Sequence, residues 1–171
     1  MLVVIAGLPG TGKTTLSRRL AAEMSAAVVR LDAVEAAIVR SGELKPPLGP
    51  VGYLIAQAVV TGCLAVGTPV VVDAVSPGAE ARAGWRTAAA AAGAPVHVFE
   101  VVLDDLGEHQ RRVEQRRSDL EGLVVPTWDS HTGSAPGVGP GLTRRGIGFV
   151  PCPGFVGLVP APGAHHPVGR A

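Results

Sequence analysis

The residues with the plainest chemical meaning are Gly7-Leu8-Pro9-Gly10-Thr11-Gly12-Lys13-Thr14. Glycines let a backbone curl round an anion and turn successive N–H groups toward it. A lysine and a hydroxyl close the stretch. The spacing is G-x-x-x-x-G-K-[ST], the Walker A phosphate-binding pattern, in which the lysine reaches the β- and γ-phosphates and the hydroxyl holds Mg²⁺. On this pattern Gly7 to Thr14, with Thr15 after them, cradle the phosphates of ATP. Lys13 also acts on the transferring group, and Thr14 is a metal ligand. The competing reading is a chance match in a chain with 23 glycines. Lysine usage argues against chance, because among fifteen lysines and arginines only Lys13 and Lys45 are lysines. One of the two stands where a flexible point charge fits better than a planar guanidinium.

Two carboxylates occupy comparable places. Asp32 follows the short apolar run Ala27-Val28-Val29-Arg30-Leu31, and Asp73 ends Pro69-Val70-Val71-Val72. A carboxylate closing an apolar strand is where a magnesium-binding aspartate sits beside a phosphate loop. The competing reading of Asp73 is an ordinary strand-end aspartate in a turn. For Asp32 it is a helix cap, since Asp32-Ala33-Val34-Glu35 has capping-box spacing.

These groups need elements to position them. Leu2-Val3-Val4-Ile5-Ala6 reads as a buried parallel strand, and Leu16, Leu20 and Met24 recur every four residues on one helix face. The phosphate loop therefore lies between a strand and a helix. Further helices are expected over 32–40, 51–66 and 77–92, the third capped by Ser76 with Pro77 at its first position. A strand is expected over 95–103. Asp105-Leu106-Gly107-Glu108 then has capping-box spacing before an arginine-rich helix reaching Arg117. Strands alternating with helices imply a parallel α/β sheet with ligands at the carboxyl ends of its strands. Gly7, Asp32 and Asp73 all fall at those ends.

At 171 residues the chain is expected to form one domain, and its net charge of +1 makes no bulk electrostatic case for nucleic acid or membrane. Cys63 and Cys152 form no metal or disulfide spacing, and Cys63 reads as a small core residue. The uncharged stretch between Lys45 and Asp73 is interrupted by Gly67-Thr68-Pro69, and reads as a buried helix followed by a buried strand rather than a membrane span. The apolar N-terminus lacks a basic leader, so a cytoplasmic protein is expected. Trp85 and Trp128 are expected to pack rather than bind ligand. His97 reads as structural, and His131, His165 and His166 form no metal set.

No acidic residue follows Asp129, and residues 131–171 hold ten glycines and seven prolines. Ile147-Gly148-Phe149-Val150 is too interrupted to be a good strand by pattern alone. The expected organisation is a nucleotide-binding domain over 1–130 and an irregular tail over 131–171. Such an abrupt change is what reading a GC-rich gene out of frame produces; a genuine extension is the alternative.

Over 1–130 the chain resembles the small bacterial P-loop kinases of the AAA-family ATPase or predicted-kinase type. These are relatives of the zeta-toxin, chloramphenicol phosphotransferase and polynucleotide kinase group. The resemblance rests on Gly7 to Thr14, on Arg30-Leu31-Asp32, and on Val70 to Asp73 with Arg82 in the following helix. It rests further on Glu108-His109-Gln110-Arg111-Arg112-Val113-Glu114-Gln115-Arg116-Arg117-Ser118-Asp119, leading to Val125-Pro126-Thr127-Trp128. It implies a P-loop NTPase three-layer sandwich whose final strand is missing or aberrant here. It implies ATP and Mg²⁺ as cofactors and a small-molecule acceptor, with nucleic acid entering only as a polynucleotide end. Asp32 would address the acceptor hydroxyl, Arg112 and Arg116 would belong to a lid over the transferring phosphoryl, and Arg82 could also reach the site. The competing reading of the arginines is a solvated face paired to Glu108 and Glu114. Kinase activity is the leading expectation. An NTPase or nucleotide-dependent switch, or a copy inactivated by its disrupted end, is the alternative.

Overall fold

The computed structural model describes residues 1–76, 78–121, 127–128 and 147–151. Strands β1 (Leu2–Ala6), β2 (Ala27–Arg30), β3 (Val70–Asp73), β4 (Val96–Leu103) and β5 (Ile147–Pro151) form one sheet in the order β2-β3-β1-β4-β5. The first four are parallel, and β5 runs antiparallel to β4. Helices α1 (Lys13–Met24), α2 (Leu31–Ser41), α3 (Val51–Ala65), α4 (Ala79–Ala91) and α5 (Leu106–Gln115) join them.

Alternation along β1 splits the core in two. Leu2 and Val4 face a cluster with Val70, Val72, Val60 of α3 and Trp85 of α4, whereas Val3 and Ile5 face one with Val71, Val101 and Ala21 of α1. A strand buried on both faces reads as a continuous apolar run, and β1 and β3 do. Helices on both faces of a parallel sheet give the expected three-layer α/β sandwich. Cys63 packs against the larger cluster, as expected of a small core residue. Among the described residues no helix is long and apolar enough to cross a membrane. α3 instead buries Ala56, Val60 and Leu64 and leaves Leu54, Ile55 and Val59 exposed.

Three local expectations change. First, Asp32 does not cap α2. The helix begins at Leu31 with Arg30 at the N-cap, which places Asp32 inside the first turn. Second, α4 starts at Ala79 with Gly78 at its N-cap, so Ser76 does not cap it. Ser76 is buried with φ 48° and uses its polar groups elsewhere: its N–H donates to Tyr53 Oη, its Oγ accepts from Trp85 Nε1, and its carbonyl accepts from Arg82. Third, Ile147–Pro151, too interrupted to be a good strand by pattern, does form one, antiparallel to β4 at the edge of the sheet. An edge strand uses only one of its hydrogen-bonding sides, which is why glycine and proline are tolerated there. The remainder of the predicted 131–171 tail lies outside the described residues. Asp105 caps α5 as expected, accepting from the Glu108 N–H at 3.0 Å.

Candidate active site

The phosphate loop leaves the carboxyl end of β1 and runs over β4. Gly7 has φ 132°, and a Cβ there would strike the Val101 carbonyl, so the loop can lie this close only with glycine. Within the loop the Leu8 carbonyl accepts from Thr11 Oγ1 at 2.8 Å, from the Thr11 N–H at 3.4 Å and from Lys13 Nζ at 2.8 Å. Gly12 at the N-cap of α1 carries no capping side chain. The first-turn N–H groups and the positive end of the helix dipole are therefore directed at the loop.

Lys13 is buried, and burial pushes its ammonium down to about 8, against the opposing pull of the Asp73 and Asp32 carboxylates. Among the described residues its only hydrogen-bond partner is the Leu8 carbonyl. A buried cation held by one backbone oxygen fits an anionic ligand. Beside it Thr14 Oγ1 donates to Asp73 Oδ2 at 2.6 Å. Hydroxyl and carboxylate oxygens side by side are the hard donors Mg²⁺ prefers, with phosphate and water completing its shell.

The parallel register decides the rest. Arg30 is paired with Asp73 across β2 and β3, and Ile5 with Asp73 across β1 and β3. The ends of three strands therefore bring Arg30, Asp73 and the loop together. The Arg30 guanidinium is the hub. Its Nη1 lies 2.7 Å from Asp119 Oδ2, its Nη2 3.5 Å from Asp32 Oδ2, and its buried Nε 3.9 Å from Asp73 Oδ2 without a hydrogen bond. The bond from Arg30 holds the Asp119 carboxyl well below the usual carboxylate range, at about 2. Arg116 Nη2 donates to Asp32 Oδ2 at 3.1 Å.

A cleft of about 680 Å³ opens between these groups. Its lining includes the predicted residues Pro9, Gly10, Gly12, Lys13, Thr14, Thr15, Asp32, Asp73, Arg112 and Arg116. Gly7, Leu8 and Thr11 do not line it; they shape the loop from behind. Arg112 reaches the cleft, yet its Nε also bonds Glu108 Oε1 at 2.7 Å and Arg111 pairs with the same carboxylate, so part of the solvated-face reading holds. Arg82 bonds the Ser76 carbonyl and is not among the lining residues. Trp85 is fully buried packing, and Trp128 meets the His109 ring edge-on.

Three residues went unassigned from sequence: Arg30, Asp119 and His109. Arg30 had a signal, a charge closing an apolar strand two residues before Asp32. Asp119 and His109 lay within the arginine-rich stretch with nothing local to single them out. Glu35 also lines the cleft, and burial first, then Asp32, raises its carboxyl.

Comparison with known proteins bears on the family and the fold. The profile of the family described as AAA domain matches residues 2–126. No curated protein matches the chain. Among solved structures, a provisionally assigned kinase from Chloroflexus aurantiacus superposes with a TM-score of 0.59 at 19% identity, over 69% of this chain and 70% of that one. Mycobacterium tuberculosis APS kinase CysC, in complex with AMPPNP and APS, gives 0.51 at 24% identity over 74% and 80%. Chaetomium thermophilum Kti12, in complex with ADP-AlF3, gives 0.53 at 18% identity over 82% of each chain. At these identities the likeness is one of fold alone.

Proposed function

The chain belongs to the AAA domain family, and from that premise we infer that it is an ATP- and Mg²⁺-dependent phosphotransferase acting on the hydroxyl of a small molecule. The observation that carries the reading is the convergence of Lys13, Thr14, Asp73, Asp32 and Arg116 on one cleft.

Each residue then has a task. The phosphate loop and Lys13 bind the β- and γ-phosphates, and Thr14 and Asp73 hold the metal. When bound, Mg²⁺ neutralises charge on the phosphates and fixes their geometry. Phosphoryl transfer asks for positioning and charge stabilisation more than for a strong base. Both guanidinium contacts to Asp32 fall on Oδ2, which leaves Oδ1 to orient the acceptor hydroxyl and take its proton as the new P–O bond forms and the γ-phosphorus bond to the bridging oxygen breaks, with ADP leaving. Arg116, released from Asp32, and Arg112 supply positive charge over the transferring group. Arg30 and Asp119 hold Asp32 and the start of the post-α5 segment in place. The reading also implies a cytoplasmic protein, where ATP and Mg²⁺ are abundant.

A hydrolytic reading has one observation in its favour: Asp32 is already engaged by two arginines, so water could serve as the acceptor. One experiment separates the two. The protein is incubated with γ-labelled ATP, Mg²⁺ and a pool of hydroxyl-bearing metabolites, beside Lys13→Ala. Lys13-dependent label on a small molecule supports transfer. Lys13-dependent release of phosphate alone supports hydrolysis, and no nucleotide binding removes both.

A further inference from the structure

His109 is a buried polar side chain that the phosphotransferase reading leaves unused. It is 5% exposed and lies on α5. Its Nε2 is 2.7 Å from the carbonyl oxygen of Pro9, a hundred residues earlier in the chain. A carbonyl only accepts, so Nε2 carries the proton and donates. Trp128 closes over the ring edge-on, with centroids 5.2 Å apart. One turn further along α5, Val113 is 2% exposed and sits against Gly10. A Cβ on Gly10 would come within 2.8 Å of Val113 Cγ2 and 3.3 Å of His109 Cδ2. The helix thus rests directly on the phosphate loop through His109 and Val113. Arg112, on the same helix, and Arg116 just beyond it reach into the cleft.

We propose that His109 is a positioning residue: its Nε2–H bond to the Pro9 carbonyl couples the arginine helix to the phosphate loop, so that Arg112 and Arg116 follow the loop when phosphate occupies it. The Leu8 carbonyl, adjacent to Pro9, takes three donors, one of them Lys13 Nζ. Phosphate that draws Lys13 away from Leu8 loosens the peptide next to the one His109 holds. The same peptide segment therefore feels both the ligand and the helix. The purpose of this coupling rests on the phosphotransferase reading, whereas the contact itself does not.

Amide hydrogen exchange of the full chain tests it, using His109→Phe, which keeps an aromatic ring against Trp128 but has no donor, and His109→Gln, whose amide nitrogen can reach the place of Nε2. Without nucleotide, His109→Phe is expected to exchange about tenfold faster in 106–115 and in 7–12, with β1 and β3 unchanged, while His109→Gln stays near the unmodified protein. With ADP and Mg²⁺ the unmodified protein and His109→Gln gain protection in both segments, and His109→Phe gains it in the loop alone. Equal exchange of α5 in His109→Phe and the unmodified protein, or failure of His109→Gln to restore slow exchange, overturns the proposal. If His109→Phe loses protection in β1 and β3 as well, it has unfolded. His109→Asn then replaces it, because its shorter amide falls short of Pro9; slow exchange in that variant equal to His109→Gln would also overturn the coupling. Absence of any ADP effect on the unmodified protein counts against nucleotide binding and leaves the nucleotide-free comparison to decide the tether.

Discussion

Thr14 Oγ1 donates a 2.6 Å hydrogen bond to Asp73 Oδ2 across 59 residues of sequence. It joins the end of the phosphate loop to the end of β3, and the parallel pairing of β1 with β3 sets the separation. If these oxygens hold Mg²⁺, removing either should erase the metal's contribution to nucleotide binding. Thr14→Val and Asp73→Asn are each expected to reduce the ratio of ATP affinities with and without Mg²⁺ by about tenfold or more. Calorimetric titration in magnesium and in EDTA reads that ratio, and an unchanged ratio would remove the pair from the metal site.

Lys13 gives the site a pH dependence. Its pKa falls from 10.5 in a free chain to about 8 in the folded protein, chiefly through burial. Between those values the unfolded chain holds more protons than the folded one, so the Lys13 contribution to stability rises with pH across that window. On the proposed function phosphate affinity runs the opposite way, because the ammonium that would attract phosphate is lost above about 8. ATP binding is therefore expected to weaken above that pH while the fold does not. Titrations of affinity and of urea stability at matched pH values check the divergence. Weakening of equal size in Lys13→Arg, whose guanidinium stays charged, would count against it.

Asp32 sits between Arg30 and Arg116. Asp32→Asn keeps the shape and removes the charge that, on the proposed function, addresses the hydroxyl. It is expected to bind ATP within about threefold of the unmodified protein and to lose about a hundredfold or more in transfer, on the scale of a general acid–base group. Parallel binding and transfer assays test this. Full transfer activity in the variant would exclude Asp32 from the chemistry.

Ser76 and Trp85 brace the segment that follows Asp73. The Trp85 indole N–H donates to Ser76 Oγ at 3.0 Å, and both residues are buried. Trp85→Phe removes a donor and leaves a void, and is expected to cost about 1–3 kcal/mol. Ser76→Ala is expected to be less than additive with it, because the two remove one bond. Chemical denaturation of both single variants and the double variant closes the cycle, and strict additivity would show that the bond contributes nothing.

Much of the scaffold was readable before folding was considered. The β-branched runs at Leu2–Ala6 and Val70–Asp73 and the Asp105 cap are local features, and they form where expected. The failures were local too. Asp32 and Glu35 had the spacing of a capping box, yet the chain enters α2 one residue earlier and the carboxylate turns to arginines instead. A cap and an ion pair compete for the same oxygen, and here Arg30 and Arg116 hold it. Ser76 before Pro77 looked like a helix start, but the indole of a buried tryptophan claimed its hydroxyl.

What the sequence determined by itself was the phosphate loop. Its glycines, lysine and threonine act through backbone geometry and charge within eight residues, and its flanking strand and helix are set by periodicities of two and 3.6. What only the tertiary structure decided was the company that loop keeps. Arg30 and Asp73 meet because β2 and β3 are in register. Arg116 reaches Asp32 across 84 residues, and His109 reaches Pro9 across a hundred. Such contacts depend on how the elements close round the sheet, and no pattern confined to neighbours along the chain encodes that distance.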